Sequence, residues 1–262
     1  MEIVVCIKQV PEITEVKIDP ETRTLVRAGV PSIVNPFDEI AVEEAVRIKE
    51  RVGATVTVLT MGPPQARDAL LKCLAMGADK AVLVTDRAFA GADTWATAYT
   101  LSQVIKKIPY DIVLCGKQAI DGDTAQVGPE LAELLGIPHI TYVRKVELHQ
   151  DLKGVTAHRE TDEGYDVVEC KLPALLTAIK GLNEPRLPSL MNILAANRKE
   201  IKTVALADLD GNAEQYGLAG SLTQVVDVFT PEPRGKGIKI DGSSPEEAAK
   251  QVVQFLLEKN VL

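Results

Sequence analysis

The sequence predicts an α/β fold: a doubly wound, mostly parallel sheet, with an antiparallel addition and a C-terminal arm. Three observations carry this. Apolar strand runs alternate with amphipathic helices through the first 136 residues, the pattern of parallel strands covered on both faces. After Pro138 three strand-like runs follow one another with no helix between them. From residue 201 onward the alternation stops and Pro, Gly and charge predominate.

The elements follow in order. The run EIVVCIKQV (2–10) is β-branched and opens the fold as a strand. Val16–Asp19 and Thr24–Arg27 suggest a hairpin around a Pro-Glu-Thr turn. Residues 38–52 place Ala41, Ala45, Ile48 and Val52 on one helical face, with Glu43, Glu44, Arg47 and Lys49 outside, and Gly53 closes that helix. Strands TVTVLT (55–60), KAVLVT (80–85) and DIVLC (111–115) are each followed by a helix, at 64–76, 93–107 and up to about Gly136. The antiparallel runs are 140–148, 155–160 and 165–171, and PALLTAI (173–179) is a buried strand. A short helix is expected before Lys199. Residues 245–258 form a closing helix with Ser244 as N-cap and Glu247 as its reciprocal partner. Two regions are expected: an α/β domain over 1–200, and an arm over 201–262 that packs on a partner chain.

Composition narrows the function. Of 262 residues, 46% are hydrophobic and 25% charged, an ordinary globular balance. A net charge of −8 disfavours binding to a nucleic-acid backbone. No apolar run approaches the ~20 residues of a membrane span, and MEIVVCIKQV reads as a strand rather than a targeting segment. Cys6, Cys73, Cys115 and Cys170 are scattered, which points to a reducing, cytoplasmic setting. His139, His149 and His158 have no metal-ligand spacing. There is no GxSxG elbow, no Cys–His pair and no distinct carboxylate pair, so no catalytic side chain is singled out.

In an open parallel sheet the ligand lies beyond the carboxyl ends of the strands, where strand order reverses. The loops there read IKQVPE, MGPPQ, DRAFAGADT and GKQAIDGDTAQVGP. Neither GxGxxG nor GxxxxGK[ST] is present. Backbone amides at a helix N-terminus can still hold phosphate. Gln126, Val127 and Gly128 fit that role ahead of Pro129, if Pro129 takes the first helical position. Alternatively the helix starts at Thr124, with Asp123 as N-cap and Gln126 as partner. Asp121 and Asp123 either accept hydrogen bonds from ribose hydroxyls or loop amides, or only shape the turn and cap the helix. Asn35-Pro36-Phe37-Asp38 is either a helix start or an adenine-edge reader. Phe89 and Trp95 either line a flat ligand or pack in the core.

Several separate stretches then identify a family: VCIKQVP, NPFDEIAVEEAVRIKE, TMGP, CLAMGADKAVLV, GKQAIDGDTAQVG and LNEPR, in that order. The family's late pattern stands at 157–177, AHRETDEGYDVVECKLPALLT, with Asp166 where the pattern has Glu or Gln. From end to end the chain resembles the beta, or small, subunit of electron transfer flavoproteins. The resemblance implies an adenine-nucleotide-binding, Rossmann-like α/β domain paired with a larger alpha subunit. That subunit's FAD shuttles electrons to acyl-CoA dehydrogenase-type flavoenzymes. In the common type the beta subunit holds a structural AMP. Its contacts would fall at Cys6, at Asn35, Pro36, Phe37 and Asp38, at Met61, and from Asp123 to Leu134.

DGDTAQVGPE and DRAFAGADTWAT resemble the electron-bifurcating branch. There the beta subunit holds a whole FAD in place of AMP. NADH reduces it, and the electrons part to a ferredoxin or flavodoxin and to the dehydrogenase-type partner. On this resemblance flavin contacts extend to Arg87, Phe89, Ala90, Gly91, Thr94 and Thr97. The phosphate loop supplies Gly116, Gln118, Asp121, Asp123, Thr124, Ala125, Gln126, Val127, Gly128 and Pro129. Residues 183–191 match the family's partner-recognition loop, with Arg186, Leu190 and Met191 as docking residues. Leu190 is then an exposed anchor; its other reading is a core leucine in a short helix, which Pro185 and Pro188 oppose. A rival from another class is a universal-stress-like regulatory protein that binds ATP or AMP, without flavin or obligate partner.

Overall fold

In chain order the strands are β1 (Glu2–Cys6), β2 (Gln9–Pro11), β3 (Ser32–Val34), β4 (Thr55–Met61), β5 (Lys80–Val84), β6 (Ile112–Gly116), β7 (His139–Leu148), β8 (Gly154–Thr161), β9 (Gly164–Lys171), β10 (Ala174–Ala178) and β11 (Ile201–Val204). The helices are α1 (Pro36–Val52), α2 (Arg67–Met76), α3 (Thr94–Ile105), α4 (Val127–Leu135), α5 (Leu190–Ala196) and α6 (Pro245–Glu258). The computed structural model describes residues 1–12, 31–227, 229 and 237–262. The hairpin expected at Val16–Asp19 and Thr24–Arg27 lies outside them.

One sheet runs β11-β5-β4-β1-β6-β10-β7-β8-β9, and β2 and β3 form a separate antiparallel pair. From β11 to β7 all neighbours are parallel; β8 and β9 add antiparallel at one end. The doubly wound sheet and its antiparallel addition are therefore as the sequence predicts. The apolar strands split their side chains between two cores. Ile3, Val5, Val56 and Val58 pack with α1 and α2 on one face. Val4, Leu59, Val82 and Val113 pack with α3 and α4 on the other. Strands buried on both faces need no polar alternation, which is why they read as continuous apolar runs.

β1 is the pivot. The chain builds β4 and β5 on one side of it, then crosses to place β6 on the other. The loops after β1 and β6 therefore leave toward opposite faces and open a crevice at the carboxyl edge. β10 inserts between β6 and β7, so the antiparallel meander hangs on a strand made after it.

The chain resolves into two compact units, Met1–Asp227 and Val228–Leu262. The first runs further than the boundary at residue 200 expected from sequence. Ile201–Val204 pairs in register with Ala81–Val84. Tyr216 is buried against Phe89 and Tyr99, with ring centroids 5.8 and 5.2 Å away. Short strands and single aromatic anchors separated by turns carry no period, so sequence reasoning saw only a tail. The second unit holds α6 over the expected span, but Ser244 makes no side-chain cap.

Candidate functional site

Cys6 and Cys115 are register partners on β1 and β6 and form the floor of the crevice. Both are buried, and their hydrogen bond together with burial pushes the Cys115 thiol well above its ordinary value. A thiol raised in this way is no nucleophile, so Cys115 serves as an apolar part of the floor.

Two residues at the start of α1 fix the loops that rise from this floor. The Asp38 carboxylate accepts from the Lys8 amide at 2.7 Å and from the Gly116 amide at 3.0 Å, so it latches the β1 loop to the β6 loop. Asn35 accepts from the Ile120 amide at 3.1 Å and donates to the Gln118 carbonyl at 2.8 Å. Neither side chain caps α1, although Asn35 stands at its N-cap. Both Asn35 and Asp38 are buried, with their polar atoms committed to the loops after β1 and β6. Burial pushes the Asp38 carboxyl up to about 7, against the lowering effect of bonds from Asn35, Lys8 and Gly116. Gly116 is required here: a Cβ on it would lie 2.7 Å from the Phe37 backbone carbon and against the Asp38 carboxylate. Phe37 itself faces Lys117, whose ammonium sits 5.9 Å from its ring centroid and 5.2 Å from that of Tyr142. Tyr142 has a φ of +56°, within the segment where the β7 pairing is irregular. Only the fold reveals Tyr142, since nothing in its local sequence marks it.

The next turn settles the aspartates. Asp121 pairs with the Lys8 ammonium at 2.7 Å, and Asp123 accepts from the Gln118 side chain. Asp123 and Ala125 have φ of +54° and +55°, so a helix cannot begin at Thr124. α4 starts at Val127 behind Gln126, which makes no side-chain cap, and Pro129 is the third helical residue rather than the first. Both helix starts offered by the sequence are thus corrected. Left-handed residues alternating into the helical conformation of Gln126 turn successive amides to one side, forming a nest at a helix N-terminus. Among the described residues, the amides of Thr124, Ala125, Gln126, Val127 and Gly128 meet no acceptor. Five free donors beside two committed carboxylates suit a phosphate-bearing group. Gly128 also serves packing: a Cβ there would stand 2.7 Å from Thr177 Cγ2 on β10.

The loop after β5 forms the second wall. Thr94 opens α3, and its hydroxyl lies 3.2 Å from Gln126 Oε1 and 3.1 Å from Glu130 Oε1. Thr97 stands one turn along α3. Burial, opposed by the Thr94 hydroxyl and reinforced by Asp93, raises the Glu130 carboxyl. Arg87, Ala90 and Gly91 are exposed on this loop, whereas the Phe89 ring is buried in the core. Met61 ends β4 in register with Val84, beside the mouth of that loop. The structure thus gathers Cys6, Asn35–Asp38, Gly116, Gln118 and Asp121 into one cluster, and Thr94 with Gln126 into another. Glu130 falls within the 123–134 span expected from the resemblance, whereas Lys8 and Lys117, though inside the stretches VCIKQVP and GKQAIDGDTAQVG, are not singled out as site residues by the sequence.

The residues of the 183–191 stretch stand elsewhere, along α1. Arg186 donates to Glu43 at 2.8 Å and to Glu50 at 2.5 Å, and Asn183 donates to the Ile40 carbonyl at 3.0 Å. Glu43 is buried; its burial opposes ionisation, and the bonds from Arg186 and Arg47 outweigh it, so its carboxyl lies below the usual range. Arg186 therefore straps the loop to α1. Beyond the strap, Leu187, Leu190 and Met191 are 94%, 72% and 74% exposed.

Comparison with known proteins shows the family. Residues 22–209 match the electron transfer flavoprotein domain. The chain is similar to the electron transfer flavoprotein subunit beta of Thermoanaerobacterium thermosaccharolyticum, 54% identical over 263 residues and covering 100% of both chains. It is likewise 54% identical over 262 residues, again 100% of each, to the subunit of the same name from Clostridium acetobutylicum. Subunit CarD of the caffeyl-CoA reductase-Etf complex from Acetobacterium woodii is 49% identical over 264 residues, covering 100% of both.

Proposed function

The chain belongs to the electron transfer flavoprotein family, among its beta subunits, and on that premise we propose that it is the FAD-binding beta subunit of a bifurcating heterodimer. The observation that carries this is the contact of Thr94 with Gln126 and Glu130. It joins the β5 loop to the amide nest, which supports a nucleotide site longer than one that holds AMP alone. When bound, FAD would supply the redox chemistry: reduction by NADH, with electrons parting to a ferredoxin or flavodoxin and, through the alpha-subunit FAD, to an acyl-CoA dehydrogenase-type partner.

The chain's own residues bind and orient. The amides of 124–128 hold phosphate in a nest that carries no net charge of its own. Asp38 and Asn35 keep that loop in register with the β1 loop. Lys8 neutralises Asp121 and so removes one negative charge from the phosphate approach. Lys117, held between Phe37 and Tyr142, adds positive potential at the crevice. Leu190 and Met191 present the apolar anchor to the dehydrogenase-type partner, while Arg186 keeps that anchor in place. The relative named as part of a caffeyl-CoA reductase complex supports such a partner. Four unpaired, scattered cysteines support a reducing, cytoplasmic setting for the carrier. Among the described residues no helix is long and apolar enough to cross a membrane.

Co-expression with the alpha subunit and a count of bound nucleotides tests the reading. Two FAD per heterodimer, both reduced on NADH addition, is the expected result. One FAD with one AMP would overturn bifurcation and leave the common carrier type. A lone stable chain without flavin would overturn both.

A further inference from the structure

The wall formed by the β5 loop is not self-supporting. Its carboxylates and carbonyls are taken up by a segment more than a hundred residues later. The Asp93 carboxylate divides its work: Oδ1 accepts from the Ala96 amide at 3.0 Å and caps α3, while Oδ2 accepts from the Leu222 amide at 2.8 Å, the Thr223 amide at 2.9 Å and the Thr223 hydroxyl at 3.1 Å. The Asp93 amide in turn donates to Ser221 Oγ at 2.9 Å. Two further ties lie alongside. The Leu218 amide donates to the Ala90 carbonyl at 3.1 Å, and the Leu206 amide to Asp86 at 3.1 Å. Gly217, at a φ of +58°, lets the backbones touch: a Cβ there would collide with the Ala88 carbonyl and stand 3.2 Å from that of Ala90.

We propose that residues 206–223 are a clamp on the Arg87–Thr97 loop, with Asp93 as the positioning residue, so that occupancy of the flavin end of the crevice and ordering of this segment are energetically coupled. The proposal rests on the reading of that loop as an FAD contact. At its far end the clamp turns apolar. Leu222, Val225 and Val226 are exposed, so one short segment meets the cofactor wall on one side and ends in an unburied apolar run on the other. A carboxylate that collects three donors from the segment and one from its own helix sets the loop's position by more than packing. Burial pushes the Asp93 carboxyl up, and the bonds from Ala96, Thr223 and Leu222 together bring it below the usual range, as expected of a carboxylate fixed in this donor set.

Coupling is reciprocal: whatever the clamp does for FAD, FAD does for the clamp. The test uses the heterodimer with its alpha subunit, with the beta site emptied and FAD as the added probe. Hydrogen exchange is read at the Leu222 and Thr223 amides, the two that donate to Asp93. FAD should slow their exchange on the order of tenfold. The double variant Ser221→Ala/Thr223→Val keeps the Asp93 cap of α3 and removes side-chain ties; it should weaken FAD binding by a similar factor and lose the protection. Thr223→Ser keeps the hydroxyl and should retain both. FAD that binds without changing exchange at these amides would overturn the clamp and leave the proposed function standing. FAD that does not bind at all would overturn the proposed function, and the clamp with it.

Discussion

The two walls of the crevice are held in opposite ways. The β6 loop is held from one helix start: Asn35 and Asp38, three residues apart, supply four hydrogen bonds to it and to the β1 loop. The β5 loop is held from afar, by 206–223. The first wall is buried at its roots and comes ready-made with the α/β core. The second is exposed and depends on a late segment arriving. This contrast teaches how one crevice can pair a fixed amide nest with an adjustable wall, where exposed ties cost little to break.

The contrast predicts a ranking. Asp38→Ala leaves the Lys8 and Gly116 amides without their acceptor and should cost about 3 kcal/mol, read as a urea-midpoint shift. A change under ~1 kcal/mol would mean that water replaces the latch and the first wall is no firmer than the second. Gly128→Val should cost about 2 kcal/mol, because its side chain drives α4 off Thr177. Nucleotide affinity should fall only as a consequence of that displacement. Full stability with lost nucleotide would put the valine against ligand instead.

The next effect is in pH. The Asp38 carboxyl rises to about 7 in the folded protein from 3.8. The folded state thus holds this proton more tightly, and stability from this group is fully present below pH 4 and is lost as pH rises through 7. Asp38→Asn should flatten that slope; an unchanged profile between pH 4 and 8 would show the group ionised throughout. Smaller still, Ser221→Ala removes the part-buried acceptor for the Asp93 amide and should cost about 0.5–1 kcal/mol by the same urea assay. If it matched Asp38→Ala, the two walls would be equally stiff. Leu190→Ala should leave stability within ~0.5 kcal/mol and slow electron transfer to the dehydrogenase-type partner in stopped-flow mixing. Unchanged transfer would remove Leu190 from docking.

Legibility in the sequence splits along the same divide. Strand runs, helix periods and the NPFD start of α1 are local, so the sheet, α1 and the four loops at its carboxyl edge could be placed. The purpose of Asn35 and Asp38 could not. A residue at a helix start reads as a cap, and nothing local says that its side chain turns away to hold a loop far along the chain. The α4 start failed because two non-glycine residues, Asp123 and Ala125, adopt left-handed backbone that composition does not announce. The resemblance alone marks Arg186 as a docking residue; its bonds to Glu43 and Glu50 join positions far apart in the chain, which no local pattern displays. The sequence places Asp93 only at the start of the helix over 93–107; its cap of α3 and its hold on Leu222 are visible in the fold alone.

The position of β10 has a consequence for how the chain is made. β6 ends at Gly116, but the strand that covers its open side begins at Ala174, 58 residues later. At ~5–20 residues per second, a ribosome leaves that apolar edge bare on the order of seconds. Meanwhile β7, β8 and β9 can pair with each other as hairpins, since their contacts are local. The meander is therefore expected to form first as a free flap and to be drawn onto the sheet only when β10 threads between it and β6. Until then the nascent chain carries two uncovered edges, and the same insertion that closes the fold hides both.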